Sequence, residues 1–399
     1  MSRHGCRIRG IVSATWPMTK AISIGAPAKV RFAMIDGLRG VAALAVFLFH
    51  CNEGQQLTSL MAAAPAWVEW TIHRGHLGIA IFFVLSGFVI AHSLRGVAVT
   101  FPLVGRFLLR RSVRLDPPYW FAIALTIAMA AVSAHFIQAK EPLSISIGQL
   151  VAHVFYLQEV LGYREIGPIF WTLCQEVQFY LIYALLLAVT RNDPALNMQG
   201  RATAVGIAVA ALISLLWPLG IVTWEPWRGS FLPLWHCFLL GAGAYWTWQY
   251  PRMAVYYFSY VAILVLSAAV RMDDVTLASV LTAVALWYAT TTGGIYRWLN
   301  WRWLQFLGLI SYSLYLTHNP VSGALFRIGY DLTGRSALTE AFWWVVVILG
   351  CILFSAGMWW LIERPSLALA KRIKLERRAN SDMKKTASPA SLVPESRAR

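Results

Sequence analysis

Apolar runs of roughly 18 to 23 residues recur along the whole chain, and each is long enough to cross a hydrocarbon layer as one helix. In order they predict about ten spans, at 33–51, 77–94, 118–138, 168–190, 203–222, 230–248, 254–271, 275–292, 303–325 and 340–362. The stretch 143–161 is also apolar, but Gln149, His153, Gln158 and Glu159 interrupt it. That pattern predicts a re-entrant or interfacial segment, because polar backbone and side chains at membrane depth must face protein or water. An eleventh crossing there would reverse the sidedness of everything downstream.

Composition agrees with the pattern. Of 399 residues, 58% are hydrophobic and only 13% charged, and the mean hydropathy is +0.58. A soluble domain would carry about 25% charged residues. The expected fold is therefore all-α, a polytopic membrane domain at 33–365 between a basic tail at 1–32 and a basic, solvated tail at 366–399. Residues 1–30 lack a continuous apolar core, which predicts no cleavable signal peptide there.

Charge sets the expected orientation. Arg and Lys crowd the N-terminal tail, the connection with Arg95, Arg106, Arg110, Arg111 and Arg114, and the C-terminal tail with Lys371, Arg372, Lys374, Arg377, Arg378, Lys384 and Lys385. The opposite connections hold balanced or acidic sets such as Glu53, Glu69 and Arg74, Lys140 and Glu141, and Asp273 and Asp274. With ten spans the basic segments share one side, which places both termini in the cytoplasm. The net charge of +16 is explained by orientation and anionic membrane lipid, so no nucleic-acid partner is expected. Five isolated cysteines, Cys6, Cys51, Cys174, Cys237 and Cys351, show neither metal-ligand nor redox spacing, and no metal is expected.

Ionisable groups inside spans are costly and are functional candidates by default. The first span opens with Asp36 and Arg39 and closes on His50; Arg39 and His50 are eleven residues apart, nearly on one face and about 16 Å apart along the axis. Either Asp36 and Arg39 form a local interfacial ion pair, or the stripe faces protein or a wet cavity. Ser86 and Gly87 in the second span suit close helix packing. Arg111 and Arg114, one turn apart before Pro117 and Pro118, suit either phosphate binding or topology anchoring. Glu176 in the fourth span has no basic residue within four positions, so its partner must come from another helix. In the ninth, Ser311, Tyr315 and His318 share a face; a histidine bonded to a backbone carbonyl is the plain alternative for His318. Depth along the predicted spans puts His50, Glu176 and His318 in the outer half and the three arginines toward the cytoplasm.

Five motifs in series resemble the acyltransferase-3 family of membrane O-acyltransferases: Arg39 to His50 within Ile-Asp-Gly-Leu-Arg-Gly, Phe-Phe-Val-Leu-Ser-Gly-Phe at 82–88, Arg111 and Arg114 before Pro-Tyr-Trp, the run from Trp171 through Glu176 to Tyr180, and the run from Ser311 through Tyr315 to His318. Ala80 and Asp116 depart from the usual pattern. The resemblance implies transfer of an acyl group, commonly acetyl, from acyl-coenzyme A as co-substrate to a hydroxyl of an exported or lipid-linked glycan at the cell (inner) membrane, with polysaccharide-assembly proteins as separate partners. It implies no bound cofactor. By motif, His50 becomes the catalytic histidine, Arg39 its partner, and Arg111 and Arg114 the donor-side pair, with Glu176 and His318 in the remaining motifs and Asp36, Ser86, Trp171, Tyr180, Ser311 and Tyr315 supporting.

The chemistry agrees with this assignment. A sugar hydroxyl is a poor nucleophile at neutral pH, and a positioned histidine gains roughly 10²–10⁴-fold by removing its proton. Cys51 points about 100° away from His50, which disfavours a thiol relay. A succinyl donor, or a proton-coupled transporter using the same buried His and Glu, are the alternatives; no internal repeat supports the transporter.

Overall fold

The computed structural model describes residues 31–95, 99–136, 144–190 and 201–375, and among these every regular element is helical. Most of both predicted tails, including Arg377, Arg378, Lys384 and Lys385, lies outside the described residues, as do Lys140 and Glu141. Seven segments are long and apolar enough to cross a membrane: Ala33–Glu53, Ala66–Ser93, Phe101–His135, Trp171–Val189, Pro251–Arg271, Asp274–Thr292 and Ala337–Ala370. The chain is a multi-pass membrane protein.

The helices are α1 (Ala33–Glu53), α2 (Thr58–Ala63), α3 (Ala66–His73), α4 (Gly78–Ser93), α5 (Phe101–Phe136), α6 (Ile147–Val154), α7 (Trp171–Val189), α8 (Arg201–Ser214), α9 (Trp235–Gln249), α10 (Ala254–Arg271), α11 (Asp274–Thr292), α12 (Arg302–Thr333), α13 (Ala337–Met358) and α14 (Arg364–Ala370). Three of the expected spans fall outside the seven. With 14 and 15 residues, α8 and α9 are shorter than the roughly 20 needed to cross unaided. Helix α12 is long but buries a polar stripe, Gln305, Ser311, Ser313, Thr317, His318 and Ser322, and packs among other helices.

Close backbone approach fixes the layers around α1 and α4. A Cβ on Gly308 of α12 would lie 2.0 Å from the Asp36 carbonyl oxygen, and one on Gly40 of α1 would lie 2.8 Å from that of Leu304. The same device joins α4 to α9, where Gly87 and Gly241 each face the other helix's carbonyl oxygens, of Phe238 and Val84, at 1.9 Å. Without a hydrophobic force between helices in lipid, such small-residue contacts carry the packing.

Two local structures differ from the sequence pattern. Helix α5 runs unbroken for 36 residues through Pro117 and Pro118, whereas the pattern starts a span at 118. Prolines remove backbone donors and crowd the preceding turn, here at the Val113 and Arg114 carbonyls. Helix α12 braces the same stretch, where the Tyr312 hydroxyl donates to the adjoining Leu115 carbonyl at 2.9 Å. At the other end of the chain, α13 continues through a π turn at Trp359–Glu363 into α14, which Pro365 enters at its first turn. Ser366 and Ala370, assigned by sequence to the tail, are buried.

The interrupted stretch is short helix followed by irregular chain. After α6, residues 155–170 bury Tyr156, Gln158, Ile166 and Phe170. Tyr156 stacks on Tyr119 with ring centres 4.6 Å apart, and the buried His153 Nε2 accepts from the Ile166 N–H at 3.0 Å. The segment thus folds back against the middle of α5 and delivers the start of α7 there.

Candidate active site

Helices α1, α4, α7 and α12 meet at a narrow cleft lined by Arg39, Phe82, Ser86, Thr172, Glu176, Ser311, Tyr312 and Tyr315 among others. Residues from four separate sequence motifs therefore face one space. Glu176 Oε1 accepts from the Ser86 hydroxyl at 2.5 Å and from the Tyr180 hydroxyl. Its partner across helices is thus a neutral donor from α4, and Ser86 binds this carboxylate while Gly87 alone provides the close packing. Arg111 stacks its guanidinium over the Tyr180 ring, 4.5 Å from the centroid, so the donor-side pair adjoins the same cluster. Arg114 lies within electrostatic reach of both Arg39 and Arg111.

The sequence groups Glu176 with the two histidines; in the structure it lines the cleft with Arg39 and takes Ser86 of α4 as its donor. Residues 155–170, packed beside Tyr119 and Tyr156, set where α7 starts: Cys174, in its first turn, bonds the Tyr156 carbonyl at 3.0 Å.

The histidines form a second level. His50 and His318 have ring centres 5.1 Å apart, with His318 Nε2 3.4 Å from His50 Nδ1. Each ring also directs Nδ1 at the carbonyl one turn earlier, His50 to Val46 at 2.8 Å and His318 to Leu314 at 3.1 Å. Nδ1 is therefore the protonated nitrogen in both neutral rings, and the His50 Nε2 lone pair is left for chemistry. Glu53 Oε2 lies 3.8 Å from that nitrogen, a distance at which it would pair with the ring were the ring protonated. The carbonyl bond expected for a packing histidine is present in His318, and contact with His50 is added to it.

Tyr315 joins the two levels. Its hydroxyl meets that of Thr172 at 2.7 Å, its ring meets Phe82 at 5.6 Å, and its other neighbour is the His318 ring at 6.1 Å. Ser311, Tyr315 and His318 follow one another along the buried face of α12 as the spacing predicts. Asp36 and Trp171 lie on α1 and α7 outside the cleft lining. Cys51 is buried in a separate apolar cluster with Phe47, Leu314 and Cys351. Among the described residues, no group of three or more His, Cys, Asp or Glu side chains converges as a metal-ligand set.

Two contributors escape a reading by motif. Glu53 is legible only as a carboxylate three residues after His50, and Glu363 only as an acid at the end of a long apolar run. Residues 32–363 match the family described as an acyltransferase domain, Acyl_transf_3. The chain belongs to this acyltransferase family. Among its relatives, "Putative peptidoglycan O-acetyltransferase YrhL" of Bacillus subtilis (strain 168) is 24% identical over 83% of this chain and 54% of its own length. "Putative membrane-bound transacylase BcsY" of Komagataeibacter xylinus is 28% identical over 72% of each chain. "O-acetyltransferase OatA" of Staphylococcus aureus (strain NCTC 8325 / PS 47) is 28% identical over 38% of this chain and 24% of its own. The chain thus spans about half the length of the Bacillus relative and a quarter of the staphylococcal one. No solved structure matches.

Proposed function

We propose that this protein moves an acyl group, acetyl, from acyl-coenzyme A to a hydroxyl of a cell-envelope or exported glycan. The observation that carries the reading is the two-level site: a cleft lined by Arg39 and Glu176, with the Arg111–Tyr180 stack beside Glu176, and a His50–His318 pair that lies outside the lining and borders the cleft through Tyr315. Along α1, Arg39 and His50 are about 16 Å apart. That suits an extended donor with anionic phosphates at one end and a thioester at the other. The names of the relatives, O-acetyltransferases and a transacylase, agree with the reaction, and one of them names peptidoglycan as the glycan.

In this reading Arg39, Arg111 and Arg114 receive the donor phosphates, since guanidinium forks suit phosphate oxygens. Glu176, held by Ser86 and Tyr180, together with Ser311 and Tyr315, shapes the path. Asp36 and Trp171 support the helix ends. The acceptor hydroxyl gives its proton to His50 Nε2 as its oxygen bonds to the thioester carbonyl carbon. The carbon–sulfur bond then breaks, coenzyme A leaves as a thiolate, and the imidazolium returns a proton to it. His318 orients His50, and Glu53 balances its transient charge.

The wider setting is part of the same proposal. The domain at 33–365 makes ten crossings of the inner membrane, with α8, α9 and α12 completing the seven apolar spans and both termini in the cytoplasm. Donor enters from the cytoplasm and acceptor from outside, supplied by separate glycan-assembly proteins. Mass spectrometry of cell-envelope and secreted glycans, with and without the gene, tests the reaction: one acetyl per modified sugar should disappear. Identical glycan masses in the two strains would overturn it.

A further inference from the structure

Glu363 is a buried carboxylate for which the reaction above needs no role. It is 4% exposed, while Trp360 and Leu361 beside it are 59% and 64% exposed on the lipid-facing side. It closes the π turn Trp359–Glu363. A π turn holds more residues than an α turn and so shifts the faces of the helix, a device that recurs at functional sites. Here it accompanies a side chain turned from lipid into the bundle, where Ser313 donates to its Oε2 at 2.7 Å.

That contact sets its neighbourhood. Tyr312, the residue before Ser313, lines the cleft and bonds the carbonyl of Leu115, the residue after Arg114. Glu363 is accordingly within electrostatic reach of Arg114 and Arg39. Arg39, which lines the cleft, and the neighbouring Arg111 and Arg114 repel one another, and more strongly where water is scarce. Of the other carboxylates nearby, Glu176 is engaged by the Ser86 and Tyr180 hydroxyls and Asp116 by those of Ser112 and Tyr156. Glu363 is an acid within reach of two of the arginines at once.

We infer that Glu363 is a positioning residue, the internal counter-ion that holds Arg39 and Arg114 oriented toward the cleft until an anionic donor replaces it. The inference rests on the proposed use of acyl-coenzyme A. It makes Glu363 a determinant of donor affinity and leaves the acceptor and the proton transfer untouched.

Steady-state kinetics of the detergent-purified full chain, with acetyl-CoA and a glycan acceptor varied in turn, test it. Glu363→Gln keeps size and an acceptor for Ser313 but removes the charge; the KM for acetyl-CoA should rise about tenfold, the usual scale for losing one charged contact, with the acceptor KM unchanged. Glu363→Asp should recover most of the loss. Ser313→Ala, which keeps the charge but frees its orientation, should raise the donor KM by a smaller factor and decides the matter should Glu363→Gln not fold. Equal changes in both KM values, or an unchanged donor KM in Glu363→Gln and Ser313→Ala, would overturn the counter-ion role while the wild type still turned over acetyl-CoA. A wild type inert toward acetyl-CoA overturns the donor reading and this inference with it.

Discussion

His318 Nε2 lies 3.4 Å from His50 Nδ1, a contact between side chains 268 residues apart in the chain. It is made possible by the Gly40–Gly308 approach of α1 and α12, which brings the two polar stripes into register. His50 is thereby held with its Nδ1 engaged by Val46 and His318, and the proposed mechanism gives each histidine a separable task.

Replacing His50 by Ala should lower kcat by about 10²–10⁴-fold, the range for losing a positioned base. His318→Ala should cost only about tenfold, because it removes one orienting hydrogen bond. Both variants should reach the membrane at wild-type levels. Equal losses from the two, measured at saturating donor and acceptor, would mean that His318 acts directly in proton transfer.

Ser86, Glu176 and Tyr180 should behave as one unit. Ser86→Ala and Tyr180→Phe each leave Glu176 with one donor, so their effects on the donor KM should be coupled by about 1 kcal/mol in a double-mutant cycle. Strict additivity would show that the two hydroxyls do not share the carboxylate.

Gly308→Ala places a methyl against the Asp36 carbonyl, whereas Gly323, on the same helix, has nothing within 4 Å of such a methyl. Overpacking at Gly308 should destabilise by about 1–3 kcal/mol and reduce activity by separating α1 from α12. Gly323→Ala should be neutral or slightly stabilising, since alanine is the better helix former. Thermal unfolding of the purified variants measures both.

Sidedness can be read with single cysteines. Ala63, exposed on α2, and Gly105, exposed near the start of α5, lie in the two connections whose arginine content differs most. The native cysteines among the described residues are buried. Under the proposed topology an impermeant thiol reagent added to intact cells should label Ala63→Cys and spare Gly105→Cys. Labelling of both from one side would break the cross-membrane transfer scheme and leave the family assignment standing.

The sequence by itself determined that the chain crosses a membrane as helices and where most of them lie, because a hydrocarbon layer demands long apolar runs with internally satisfied backbones. It also marked Arg39, His50, Glu176, Arg111, Arg114 and His318, because a polar side chain inside such a run is costly and stands out. Tertiary structure decided what these residues do to one another. Glu176 shares a cleft with Arg39 and takes Ser86 of α4 as its donor, a pairing that no local pattern encodes. Helix α5 continued through Pro117 and Pro118, and Tyr312, nearly two hundred residues later, bonds the Leu115 carbonyl beside them. Glu363 faced the bundle beyond the end of the expected span, where α13 opens into a π turn. In each case the deciding force is a contact between distant segments, and hydropathy along the chain records the cost of burying a group without recording the partner that meets it.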